Sequence, residues 1–269
     1  MEDDPERANL RAFLDCAADL KRVDVSGLFY AERLAFFLNL YHVMVMHAYL
    51  VLGPPDSSFK WVSYFGTISY QCADDVFSLT ELEHCIVRAR TSAPTQFLAK
   101  FVLPKSRYPG LEMRSKERPS SSSSGSSSYS YSVGSILDYR INFALNCGSL
   151  SNPRSVPTYK AGTLNEQLDD SARRYLRDSV TVSRVPGKKG VLSVTLPRIC
   201  SWYAADFGGG SSRSSRIVLL VKRHLDDRSR DLLSAALAVD GRRFRSGSLQ
   251  VTFSSYDYRC RNLRPLREE

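Results

Sequence analysis

The sequence predicts an α+β fold, a single domain with a buried central helix, a small mixed or antiparallel sheet and surrounding helices. Three observations predict it. Residues 34–52 form an uncharged, strongly apolar run of helical length. Helical periodicity alternates along the chain with short strand-like runs, one pair of which flanks a Pro-Gly turn. The composition, 43% hydrophobic and 24% charged over 269 residues, supplies a substantial core and excludes a wholly disordered chain.

The first element is a helix over residues 6–22, where Leu10, Phe13, Ala17 and Leu20 recur at helical spacing. The 34–52 run follows. Its 19 residues approach the roughly 20 of a membrane span. However, Glu32, Asn39, His42, Met46 and His47 share one sector at about 100° per residue. Such a stripe is costly in lipid and suits a helix crossing a protein core, so no membrane span is expected. Gly53-Pro54-Pro55 ends the helix. Residues 61–64 and 67–71 read as short strands around Gly66, and Asp74-Asp75 as a turn. Ser78-Leu-Thr-Glu81 is a capping box opening a helix from 79 to about 90.

Residues 115–135 include Pro119 and a serine run from 120 to 128 interrupted only by Gly125. Such a stretch buries too little apolar surface to offset its ordering entropy, so it reads as a disordered insertion within the domain spanning 1–269. Residues 140–145 read as a buried strand. Thr163-Leu-Asn-Glu166 repeats the capping box before a helix with Leu164, Leu168, Ala172 and Leu176 on its apolar side. Residues 180–185 and 191–196 form a hairpin around Pro186-Gly187, and 197–206 a short helix. A loop at 208–212 and helices at 216–225 and 227–239 come next. Leu249, Val251 and Phe253 then alternate in a final strand.

Net charge is +9, distributed as −4 over residues 1–100, +7 over 101–210 and +6 over 211–269. The basic excess admits an anionic partner. Its densest piece, Arg242, Arg243 and Arg245 after Asp240-Gly241, reads as a solvated turn, and no groove-reading motif for nucleic acid accompanies it. Six cysteines without CxxC spacing exclude a disulfide scaffold and a zinc ribbon. The acidic start lacks the basic-then-apolar order of a secretory signal, so a cytoplasmic protein with reduced thiols is expected.

Several blocks carry a family resemblance. Ala35-Phe-Phe-Leu-Asn-Leu-Tyr-His42, Phe77-Ser-Leu-Thr-Glu-Leu-Glu-His84 with Ile86 and Arg88, and Asp138-Tyr-Arg-Ile-Asn-Phe-Ala-Leu-Asn-Cys-Gly-Ser149 come first. Leu164-Asn-Glu-Gln-Leu168, Leu196-Pro-Arg-Ile-Cys-Ser-Trp-Tyr203 through Asp206-Phe-Gly208, and Tyr256-Asp-Tyr258 with Asn262 follow in order. Together they resemble family 547 of the domains of unknown function. In eukaryotes that family occurs beside DEP, glutaredoxin or leucine-zipper segments, so the resemblance implies a signalling or regulatory setting and supplies no activity. The chain departs from the pattern at His42, Asn142 and Asn152, where the family carries asparagine, histidine and, in bacterial versions, cysteine.

What remains of a reactive set is Cys147, His84 and Asn39. A cysteine nucleophile needs a base or cation nearby, and an amide can orient an imidazole. The same residues have structural readings: Cys147 as a packed core thiol, His84 as a surface or capping group, and Asn39 as a buried amide tying its helix to a loop. His42 and His47 are five apart, which is no metal spacing, and no GxGxxG or phosphate-loop motif is present. No cofactor or metal is expected. Asp169-Asp170 and Asp226-Asp227 read as helix-start carboxylates. Trp202 and Tyr203 read as core anchors. Two functions compete, a protein-interaction or regulatory module and a cysteine-dependent hydrolase or acyl transferase.

Overall fold

The computed structural model describes residues 5–88, 138–208, 213–238, 241 and 243–266. The serine-rich segment, Arg242 and the end of the 79–90 helix lie outside them. Helix α1 (Pro5–Asp19) runs into a single 3-10 turn, Leu20–Arg22. It rests lightly on α2 (Tyr30–Leu52), with Phe13 meeting His47 edge-to-face at 4.9 Å. Glu32 accepts the Phe29 N–H at the start of α2, and Gly53, at φ +74°, ends it. Length and apolarity alone would let α2 cross a membrane. Yet Leu34, Phe37, Leu38, Tyr41, Met44 and Val45 are packed inside the fold, as in a core helix.

Residues 61–64, expected as a strand, lie in helix α3 (Ser58–Thr67). Aromatic and β-branched composition suggested the strand. What decides is the Ser57 hydroxyl, which accepts the Lys60 N–H, and the helical spacing of Trp61 and Phe65, whose rings stack at 4.3 Å. Strands β1 (Ser69–Cys72) and β2 (Asp75–Ser78) form an antiparallel hairpin. The capping box is present: Ser78 Oγ accepts from Glu81 N, and Glu81 accepts from Ser78 N. The helix it opens, α4 (Leu79–Glu81), turns π-helical over Leu82–Val87.

Residues 140–145 also differ from expectation. They hold one helical turn, α5 (Ile141–Ala144), entered through a turn in which the Asp138 carboxylate accepts the Arg140 N–H at 3.0 Å. Every residue from 141 to 149 is buried, so no alternation existed to separate strand from helix. Strand β3 (Ser155–Val156) precedes α6 (Leu164–Ser179). Thr163 makes no side-chain cap there. Instead the Gln167 amide reaches back, accepting from Lys160 N and donating to Thr158 O. Asp169 lies within α6 rather than at its start, and it accepts from Arg140 and Arg223.

The predicted hairpin is β4 (Thr181–Arg184) and β5 (Leu192–Leu196), and β6 (Leu249–Phe253) adds to β5 in parallel. Between them lie α7 (Arg198–Trp202), α8 (Arg213–Val221) and α9 (Asp227–Ala235), the last capped by Asp226 on the Ser229 N–H. Arg245 donates to the Ala235 carbonyl after α9. The short strand β7 (Arg264–Pro265) pairs with β3. The result is a predominantly helical α+β domain, with three small sheets among the described residues. Two apolar clusters fill it, one around α2 and one beneath the β4–β5–β6 sheet. Helix α5 straddles them: Ile141 and Ala144 join the first, Phe143 the second.

Candidate functional site

The π-helical segment creates the first half of the site. A π turn brings residues five apart onto one face, which an α-helix does not. Arg88 N accordingly donates to Glu83 O at 2.8 Å, and the Arg88 guanidinium reaches the Glu83 carboxylate at 3.2 Å. Tyr41 donates to the same carboxylate at 2.9 Å. Arg88 also donates to the Asn142 side-chain oxygen, Oδ1, and lies 4.0 Å over the Tyr203 ring. Asn142 in turn donates to Asp206 at 3.1 Å. A buried carboxylate, cation and amide thus join the two apolar clusters. Burial would raise the Glu83 carboxyl, but His84, Arg88 and the Tyr41 hydroxyl outweigh it and hold Glu83 below its ordinary range. His84 is mostly buried, with Nε2 3.9 Å from Glu83, and burial lowers its pKa.

Cys147 occupies the second half, just past α5 and ahead of Gly148. Its carbonyl accepts from Tyr49 at 2.6 Å. Its sulfur lies 3.5 Å from the Tyr256 hydroxyl and accepts from the Asn152 amide at 3.6 Å. Ser149 donates to the same Tyr256 oxygen at 2.7 Å. Burial, helped by the Glu83 charge, pushes the thiol up to about 11, against a weaker lowering by Tyr256. The group is therefore a neutral thiol at ordinary pH. Tyr256 also lines an open groove of about 390 Å³ with Asp56, Ser57, Asp257, Tyr258 and Arg259.

Asn39 stands apart from both halves. Its amide donates to Tyr159 O at 2.9 Å and accepts from Tyr159 N at 2.8 Å, clamping α2 to the loop before α6. Among the described residues no hydrogen bond links Cys147, His84 and Asn39 to one another. None holds a group of three or more His, Cys, Asp or Glu placed for a metal. Trp202 and Tyr203, expected as core anchors, divide. Tyr203 is buried under Arg88, whereas Trp202 is half-buried against Tyr256 and Tyr258.

A family model described as "Protein of unknown function, DUF547" matches residues 25–176, more than half of the chain. The chain belongs to the DUF547 family. No curated protein and no solved structure matches it. The DUF547 match covers Asn39, Glu83, His84, Arg88, Asn142 and Cys147. Tyr203, Asp206 and Tyr256 lie beyond it, and their contacts with Arg88, Asn142 and Cys147 complete the site. Sequence reasoning passed over Glu83, Arg88 and Tyr256 as chemistry. The signal for the first two was a pair of charges inside an otherwise apolar block, 82–88.

His42 closes the site from α2. Its Nε2 accepts the Asn146 N–H at 3.2 Å, and its ring stacks on Tyr159. Burial lowers its pKa to about 4, as it does for His224, whose ring contacts the Tyr139 hydroxyl at 3.0 Å. The ordinary value for both is near 6.5. Between those values the unfolded chain binds more protons than the folded one, so stability is fully present above about pH 6.5 and lost as pH falls toward 4. Each histidine contributes on the order of 2–3 kcal/mol over that window. Urea denaturation at pH 7 and pH 4.5 is expected to show the loss. A stability unchanged between the two would contradict neutral burial of these rings.

Proposed function

We propose that this DUF547 domain is a non-catalytic protein-interaction or regulatory module of an intracellular signalling protein. One observation carries the reading: the side chains that a thiol enzyme would need are spent on holding the fold. The Asn39 amide is used on both sides by the Tyr159 peptide, and the Cys147 thiol is kept neutral beneath Tyr256. The exposed apolar side chains support the same reading. Leu50, Val51 and Leu52 end α2 at 77%, 65% and 64% exposure, and Leu10 and Leu14 of α1 are exposed as well. Large apolar side chains exposed in sequence at one helix end suit contact with other proteins.

A cysteine-dependent hydrolase or acyl transferase is the second reading, and the groove against Tyr256 favours it. Tyr256 both lines the groove and lies 3.5 Å from the sulfur, so this reading needs that ring to move. Site-resolved iodoacetamide labelling over a pH series separates the two readings. We expect Cys147 to label slowly in the folded protein at pH 6 to 8, far behind the exposed Cys16. Selective labelling of Cys147 near pH 6, abolished by His84→Ala, would overturn the module reading.

A further inference from the structure

We propose that the groove between the start of α3 and the segment after β6 binds a proline-rich segment in the polyproline II conformation carrying a basic side chain. This site is separate from the apolar end of α2. One wall is aromatic. The Tyr256 and Tyr258 rings meet edge-to-face at 4.9 Å, and Trp202 packs against both, at 4.9 and 6.1 Å. Tyr258 is 36% exposed at the groove, and Trp202 and Tyr256 are half-buried. The second wall is Asp56 and Ser57.

The chemistry selects the occupant. An α-helix with its side chains is a cylinder about 10–12 Å across. A polyproline II segment is slimmer and has no internal hydrogen bonds. It lays its proline rings on preformed aromatic surface and loses little entropy on binding. The two carboxylates, Asp56 and Asp257, disfavour an anion and suit a cation. Asp56 is paired with the exposed Lys60 at 2.9 Å, and Asp257 with the exposed Arg259, which lines the same groove and reaches the carboxylate through its backbone N–H, Nε and Nη2. Pairs as exposed as these contribute little, so an arginine or lysine of the ligand can take their place. The two groove-lining tyrosines, backed by Trp202, also add contact area with few rotors to freeze.

The test uses the full chain and a short synthetic peptide with prolines at every third position and one flanking arginine. Two controls accompany it, one with the prolines replaced by alanine and one with the arginine replaced by alanine. Calorimetry and tryptophan fluorescence should show saturable binding of the proline-rich peptide only. Tyr258→Ala is expected to weaken it about tenfold. Asp257→Asn is expected to weaken it about threefold, and only for the peptide that keeps its arginine. Both positions are solvent-facing, so a thermal melt should confirm an intact fold. Absence of saturable binding would overturn the proposal. So would equal binding of the proline-free control, indifference to both substitutions, or preference for an amphipathic helical peptide.

Discussion

Arg88→Met is expected to destabilise the domain by about 3–5 kcal/mol, the cost of leaving a buried charge without its partner. The Arg88 side chain is 2% exposed and the Glu83 side chain 13% exposed, so water cannot replace the lost cation. Tyr41 still donates to Glu83 in the variant, but one hydroxyl does not neutralise a carboxylate. The Asn142 side-chain oxygen loses its donor as well, and the Tyr203 ring its cation. The second substitution makes the test specific. Glu83→Gln in the Arg88→Met background removes the stranded charge, so the double variant should recover part of the loss rather than add to it. Urea denaturation of the wild type and the three variants measures the coupling. Additive losses would mean that the pair does not act as one unit. The cluster also sets the stability of the junction between the two apolar clusters, because Arg88 comes from the α2 side and Asp206 from the sheet side.

The elements that could be read from the sequence are those whose cause is local. Ser78 and Glu81 lie three residues apart and satisfy each other. Asp226 caps α9 across the same interval. The central helix could be read because its polar stripe and apolar faces repeat within the element itself. Residues 61–64 misled because aromatic rings favour strands only when a pleated neighbour exists, and Ser57 starts a helix first. Nothing local announces the π turn at Leu82–Val87. It is fixed by what Glu83 and Arg88 meet across the fold, namely Tyr41, Asn142 and Tyr203. The candidate site follows the same division. Cys147 was legible as a small buried thiol beside a glycine. The hydroxyl that covers it belongs to Tyr256, far along the chain, and no spacing rule connects the two.

Gly148→Ala is expected to cost about 3–4 kcal/mol, combining left-handed backbone strain with a collision that has no easy relief. Gly148 sits at φ +79°, where an L side chain is strained whatever the space around it. An added Cβ would lie 2.7 Å from the Tyr49 ring and 2.9 Å from the Arg261 carbonyl oxygen. Neither neighbour is free to move. Tyr49 is buried in α2 with its hydroxyl on the Cys147 carbonyl, and the Arg261 backbone is held by its N–H on the Gly148 carbonyl. Gly53 provides the control. Its φ is +74° with ψ 162°, itself costly for an L side chain, but a Cβ there would meet nothing within 4 Å, so Gly53→Ala should show backbone strain alone, about 1–3 kcal/mol. The difference between the two variants in urea denaturation therefore isolates the contact between Gly148, α2 and the C-terminal segment. Equal losses would show that this approach is looser than drawn. If the loss at Gly148 is the larger, Cys147 should also become more reactive toward iodoacetamide, because the same contact holds its carbonyl and the C-terminal segment whose Tyr256 lies over its sulfur.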